Sequence, residues 1–371
     1  MINFISTSFN ENGSDVLGCT VKWGLTLVND KPQQFNLDLA LSCCALCCAS
    51  YDENAVVSAL KRFGFSKITT SGYKAYTDVC AAAFGYQKTS QTELAVCVIR
   101  GTAAGQWQSN FELGSGEYHN GFEHSSACIE QQLLRYLKSV KADKRRCKIL
   151  ICGHSKGGAC ANIIGARLAV SLGSDRIYCY TFACPNTARK EKLSGSFYGG
   201  IFNLVNSLDF IPFVPLEGWG FGKFGTTIDL LSDGAKKDNT DLAEKTKSAF
   251  FKLTKGGKLE IFDTFEISSK EFLQSVYSIA KTDDDYYTKR FRINDADYSL
   301  FDYFSVLCQV LEAGGTDFEH ILFFMSTLCT ELAPLSKFLM QNSEKGIAHS
   351  PLMTAHACET YFSVLSSYGD K

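Results

Sequence analysis

A serine held between glycines stands at the centre of the stretch "ILICGHSKGGACA": Gly153-His154-Ser155-Lys156-Gly157. A serine hydroxyl is a weak nucleophile at neutral pH, so it attacks a carbonyl only where a base takes its proton and an acid orients that base. The Gly-x-Ser-x-Gly spacing suits this chemistry for a steric reason. The serine must sit on a sharp, strained turn, and small neighbours let the preceding strand and following helix approach each other. Gly153 and Gly157 provide that room. The bare pattern arises by chance in about one chain of this length in ten, so its setting decides. Here an apolar, β-rich run precedes it and a helical pattern follows. Such a turn aims a helix N-terminus at the reaction centre, where backbone N–H groups favour a developing oxyanion. The backbone N–H of Lys156 is then one donor, while its side chain is expected to point outward. His154 is too near Ser155 in sequence to be its base and is read as a packing residue.

On an elbow of this kind, the acid and then the histidine follow in chain order. Asp209 lies 54 positions after Ser155, at the end of the strand-like "IFNLVNSLD" and just before two prolines. Three histidines follow it. His320 sits in the apolar helical pattern "FEHILFFM" and is read as packed. His349 and His356 share the stretch "GIAHSPLMTAHACETYFSVL", and spacing alone does not separate them.

The elements that must position these residues can be read from hydrophobic periodicity. From Asp38 to Phe65 the pattern predicts two helices, with Asp52 or Asn54 as a cap between them and Gly64 as a stop. Glu93–Gly101 and Cys147–Ser155 read as buried strands. The helical spacing of Ile129, Leu133, Leu134 and Leu137 lies between them. A helix follows Ser155, ending near Gly173. Arg176–Pro185 and Ile201–Pro215 are further strand-like runs closed by proline. This alternation predicts an α/β fold with a mostly parallel central sheet. From about 231 to 340 the chain turns lysine-rich and then rich in Phe and Leu at helical spacing. We expect one domain over 1–371, with a mainly helical insertion or cap at about 231–340 that precedes the histidine.

Composition limits the remaining functions. A net charge of -2 and a pI near 6.3 give no basic field for nucleic acid. The apolar stretch Leu39–Ala49 is far short of the roughly 18 residues of a membrane span, so no transmembrane segment is expected; the lysine-rich surface leaves peripheral membrane contact open. The N-terminus carries no cationic start with an apolar run, giving an expectation of a cytoplasmic protein. The sixteen cysteines are spread through an apolar chain and read as reduced core thiols. Cys43, Cys44, Cys47 and Cys48 include a Cys-x-x-Cys spacing, but no second pair with nearby His follows. Structural zinc takes four converging ligands, so no metal is expected, and no organic cofactor is implied.

Together "VIRGT", "HNGF", "GHSKGG", "NSLDFIPFVP" and "HACETY" resemble the class 3 lipases of the α/β-hydrolase fold, and in particular a bacterial, Mbeg1-like branch. The resemblance covers roughly Asp38 to Leu230 and the last twenty or so residues. It implies Ser155 as nucleophile and Asp209 as acid. It favours His356 over His349 as base, because the family's base precedes a tyrosine, here Tyr361. It also implies Thr102 of "RGT" as an oxyanion donor opposite Lys156, and a structural role for His119 in "HNGF". No amphipathic lid is legible after Thr102. The resulting expectation is a serine carboxylester hydrolase acting through an acyl-enzyme on lipid or small acyl esters. A thioesterase or phospholipase with the same triad, and a non-catalytic interaction protein on a hydrolase scaffold, are the alternatives.

Overall fold

A computed structural model describes residues 2–4, 19–74, 78–102, 116–209, 211–215, 217, 220–231, 240–259, 261–264, 290–293, 296–299 and 351–368. Seven strands form the central sheet: β1 (Ser66–Ser71), β2 (Ala82–Lys88), β3 (Glu93–Ile99), β4 (Lys148–His154), β5 (Ile177–Phe182), β6 (Ile201–Val205) and β7 (Thr226–Asp229). They lie side by side in chain order. The five from β3 to β7 are mutually parallel, and β1 and β2 add an antiparallel edge.

Alternation along each strand builds two cores. In β4, Leu150 and Cys152 face one side while Ile149 and Ile151 face the other; in β5, Tyr178, Tyr180 and Phe182 oppose Ile177 and Cys179. The first face is covered by α1 (Leu37–Ala49) and α2 (Glu53–Arg62), the second by α3 (Asn120–Ser139) and α4 (Lys156–Leu172). Helices α5 (Thr240–Leu253), α6 (Pro351–His356) and α7 (Cys358–Ser366), with a one-turn helix at Ile261–Thr264, add to these layers. Helix α7 packs on α1 and α5. This closes α1 against protein on several sides, and its residues from Leu39 to Ala49 are buried save Leu41. A helix apolar all round belongs in such a place.

Helix boundaries follow their capping residues. Asn36 Oδ1 accepts the N–H of Leu39 at 3.0 Å to start α1, and Asp52 Oδ1 accepts that of Ala55 at 2.7 Å to start α2. Gly64, beyond α2, takes φ +82°, where a side chain would be strained. The strand expected to run from Ile201 to Pro215 is shorter, ending at Val205. The expected insertion at 231–340 falls largely outside the described residues; α5 and a two-stranded hairpin, Arg290–Ile293 with Ala296–Ser299, are described within it. His320, His349 and residues 103–115, where no lid was legible, also lie outside them.

Candidate active site

Ser155 joins β4 to α4 with φ 56° and ψ -129°, a backbone conformation that a residue with a side chain rarely adopts. Its N–H donates to the carbonyl of Phe182 on β5 at 2.9 Å. The glycines of the motif are dictated by contact distances. A Cβ on Gly153 would lie 2.2 Å from the carbonyl oxygen of Gly157, and one on Gly157 would lie 2.4 Å from that of Ile99. Strand, turn and helix are therefore in backbone contact, and only hydrogen fits between them.

From this turn Ser155 Oγ lies 2.9 Å from His356 Nε2, and His356 Nδ1 lies 2.8 Å from Asp209 Oδ2. The carboxylate can only accept, so Nδ1 carries the proton and Nε2 is left to accept from the serine. All three residues are buried, Asp209 completely. Asp209 sits four residues beyond the end of β6, in a turn whose backbone closes through Asp209 N to the carbonyl of Asn206 at 2.9 Å. Its Oδ1 accepts from the N–H of Ile211 at 3.0 Å.

Two partners of this carboxylate's environment were not assigned a role from sequence. Tyr361 Oη donates to Asp209 Oδ2 at 2.8 Å and accepts from the N–H of Asn206 at 3.1 Å. Burial, and then the charge of Asp209, push the Tyr361 phenol well above its ordinary value. The phenol thus stays a neutral donor. Asn206 itself donates from Nδ2 to the carbonyl of Ala355, the residue before the base, at 3.1 Å. The "HACETY" spacing pointed toward Tyr361, but nothing local marked Asn206.

Thr102 follows β3, part-buried, and Lys156 is the first residue of α4. At that position a helix presents its backbone N–H groups along its axis. The side chain of Lys156 departs from expectation: it is 2% exposed rather than outward, with Nζ donating to the carbonyl of Asp78 at 3.0 Å. An available carbonyl and a covering segment outweigh a lysine's usual preference for water. His119 precedes α3, fully buried, with its ring stacked on Phe122 at 3.9 Å between centroids.

Among the described residues one group could supply three metal donors: Cys44, Cys48 and Cys358, whose sulfurs lie within 4.8 Å of one another. Cys44 and Cys358 donate their thiols to each other's carbonyls, each at 3.7 Å. Three donors already engaged as packing thiols fall short of the four of a structural zinc site.

The family model of class 3 lipases matches residues 72–219, which include Ser155 and Asp209. The match spans 148 of the 371 residues and marks a similarity to class 3 lipases over that segment. Solved structures similar to this chain include the triacylglyceride lipase of Rhizomucor miehei (20% identity, 53% of this chain and 81% of that one, TM-score 0.43). Others are MDLA of Penicillium cyclopium (19%, 53% and 80%, TM-score 0.43) and the mono- and diacylglycerol lipase of Aspergillus oryzae (20%, 51% and 77%, TM-score 0.40). No curated relative matches it. The family match is to class 3 lipases as a whole and does not single out the Mbeg1-like branch. It ends before His356, so the base rests on geometry alone.

Proposed function

We propose that this chain hydrolyses carboxylic esters of lipids or small acyl alcohols through an acyl-enzyme on Ser155. The observation that carries this reading is the continuous path from Ser155 Oγ through His356 to Asp209, 2.9 and 2.8 Å long, built on a strained turn. As Oγ attacks the ester carbonyl, its proton passes to His356 Nε2. The imidazolium that forms is held by Asp209, then gives the proton to the departing alkoxide. Water repeats the cycle on the acyl-enzyme, with His356 again as base. The oxyanion is received by the backbone N–H groups of Lys156, at the positive end of α4, and of Thr102. No cofactor enters this scheme.

The same reading takes the substrate to lie in a reducing compartment, the cytoplasm. In its support, the cysteines from Cys43 to Cys184, and Cys358, are free thiols, and all of these but Cys128 are buried. Among the described residues no helix is long and apolar enough to cross a membrane.

Labelling with a fluorophosphonate, alongside turnover of p-nitrophenyl esters of increasing chain length, tests the proposal. The expected result is labelling of the wild type and none of Ser155→Ala. Equal labelling of both would overturn it. His356→Ala should abolish turnover and His349→Ala should not; the reverse pattern would move the base to His349.

A further inference from the structure

Helix α6 ends in the base, and a helix end leaves its last carbonyls without partners in the helix. Here three consecutive carbonyls are taken by side chains. Thr360 Oγ1 donates to that of Thr354 at 2.5 Å, Asn206 Nδ2 to that of Ala355 at 3.1 Å, and His154 Nε2 to that of His356 at 2.8 Å. The donors come from α7, from the turn that carries Asp209, and from the last residue of β4, beside Ser155. All three are buried.

The His154 contact is fixed in turn from behind. A carbonyl oxygen can only accept, so Nε2 bears the proton and Nδ1 must accept. It does so from Tyr51 Oη, 2.7 Å away. Tyr51 therefore selects the tautomer whose N–H faces His356. The two imidazole rings are 4.9 Å apart. Burial first, and then the charge His356 carries, push His154 well below a histidine's usual value. His154 stays a neutral dipole while its neighbour takes the serine proton, and two imidazolium ions never face each other.

We infer that His154, oriented by Tyr51, is a positioning residue for the base, with Asn206 holding the adjacent carbonyl. The histidine of the Gly-x-Ser-x-Gly motif thus ties the main chain of His356 to the residue next to the nucleophile. Asn206 ties it to the turn of the acid. The inference rests on the reading of Ser155, His356 and Asp209 as catalytic. It adds that their mutual geometry is held through backbone carbonyls of the base as well as through the triad's own hydrogen bonds. Small displacements matter here, since a misplacement of about 1 Å can cost about 100-fold in rate.

Five proteins decide it: wild type, His154→Leu, His154→Gln, Tyr51→Phe and the double variant Tyr51→Phe with His154→Leu, each assayed for kcat and KM on a soluble p-nitrophenyl ester and for the rate of fluorophosphonate labelling. Leucine fills the space with no donor. Glutamine offers an N–H and an oxygen for the same two roles. The expected result is a kcat about 10- to 100-fold lower in His154→Leu, with KM within about twofold, and recovery to within about fivefold of wild type in His154→Gln. Tyr51→Phe, which loses one oxygen, should lose about 3- to 10-fold in kcat, of the size of one lost hydrogen bond, and nothing further in the His154→Leu background. Wild-type turnover in His154→Leu would overturn the inference, as would equal impairment of the Leu and Gln variants in the folded state. If His154→Leu does not fold, Tyr51→Phe still decides: unchanged kcat refutes the relay. A wild type that neither labels nor turns over would refute the proposed function itself, a separate outcome.

Discussion

Gly153→Ala tests whether the elbow is as tight as the structure makes it. The added methyl carbon would stand 2.2 Å from the carbonyl oxygen of Gly157, 2.4 Å from its carbon and 2.8 Å from the nitrogen of Gly158, where real Cβ atoms keep at least 3.0 Å. All three neighbours are backbone, so no side chain can swing aside. Relief requires strand β4 and the start of α4 to part by about 0.8 Å, the step from 2.2 to 3.0 Å. Overpacking of this kind costs about 1–3 kcal/mol. If Ser155 moves with the opening, its 2.9 Å contact with His356 lengthens beyond hydrogen-bond reach, for a loss of about 100-fold in kcat. The control is Gly116→Ala, whose new carbon would meet, among the described residues, nothing nearer than the carbonyl of Tyr118 at 3.9 Å. Urea unfolding and p-nitrophenyl ester turnover on wild type and both variants give the answer. A Gly153→Ala protein with unchanged midpoint and full turnover would refute the argument, because the elbow would then have slack the contact distances deny.

Tyr361→Phe removes a donor from a fully buried carboxylate and should cost about 1.5–3 kcal/mol in urea unfolding; a loss under about 0.5 kcal/mol would mean that Asp209 does not need the phenol. Asp209→Asn should lower kcat about 10,000-fold with a small change in KM, because an amide facing His356 Nδ1 selects the wrong tautomer; steady-state kinetics check this. The fourth prediction concerns pH. Burial pushes the Lys223 ammonium down to about 8, although Nζ donates to Asn186 Oδ1 at 2.8 Å and to the carbonyl of Pro212. Between pH 8 and lysine's ordinary range the unfolded chain holds a proton that the folded chain has released, so stability rises with pH through that window, and the cost is fully present below it. The side chain is only part-buried, so about 3 kcal/mol is a ceiling. Unfolding of wild type against Lys223→Met from pH 7 to 10.5 should show a difference that shrinks as pH rises; a constant difference would refute it.

What the sequence disclosed divides by distance along the chain. The elbow was legible because its cause is local: glycines, a strand before and a helix after all fall within about twenty residues. Asp209 followed from chain order, although it lies in a turn past β6 rather than at the strand's end. The antiparallel edge was not read. β1, "SKITTS", is a half-exposed edge strand with one strongly apolar residue, and β2, "AAFGYQK", opens on alanines with a glycine inside. Neither composition signals a strand. The choice of His356 over His349 needed the family resemblance, since both sit in one short stretch of sequence. The polar contacts were beyond reach for a different reason. Tyr361 meets Asp209 across 152 positions and His154 meets His356 across 202, and no periodicity encodes a pairing that depends on how the layers stack. His154 read as packing for the same reason, and so did the outward side chain expected of Lys156.

The docking of α7 on α1, with α6 just ahead of it, also sets an order in time. Ser155 and Asp209 are made well before His356, which follows Asp209 by 147 positions. At about 5–20 residues per second of synthesis, that gap lasts about 7 to 30 seconds. Throughout it the growing chain can form the elbow and place the acid, yet it has no base to activate the serine. On the proposed mechanism, reactivity begins only when the late helices settle onto one of the first to be made, so the chain is born inert.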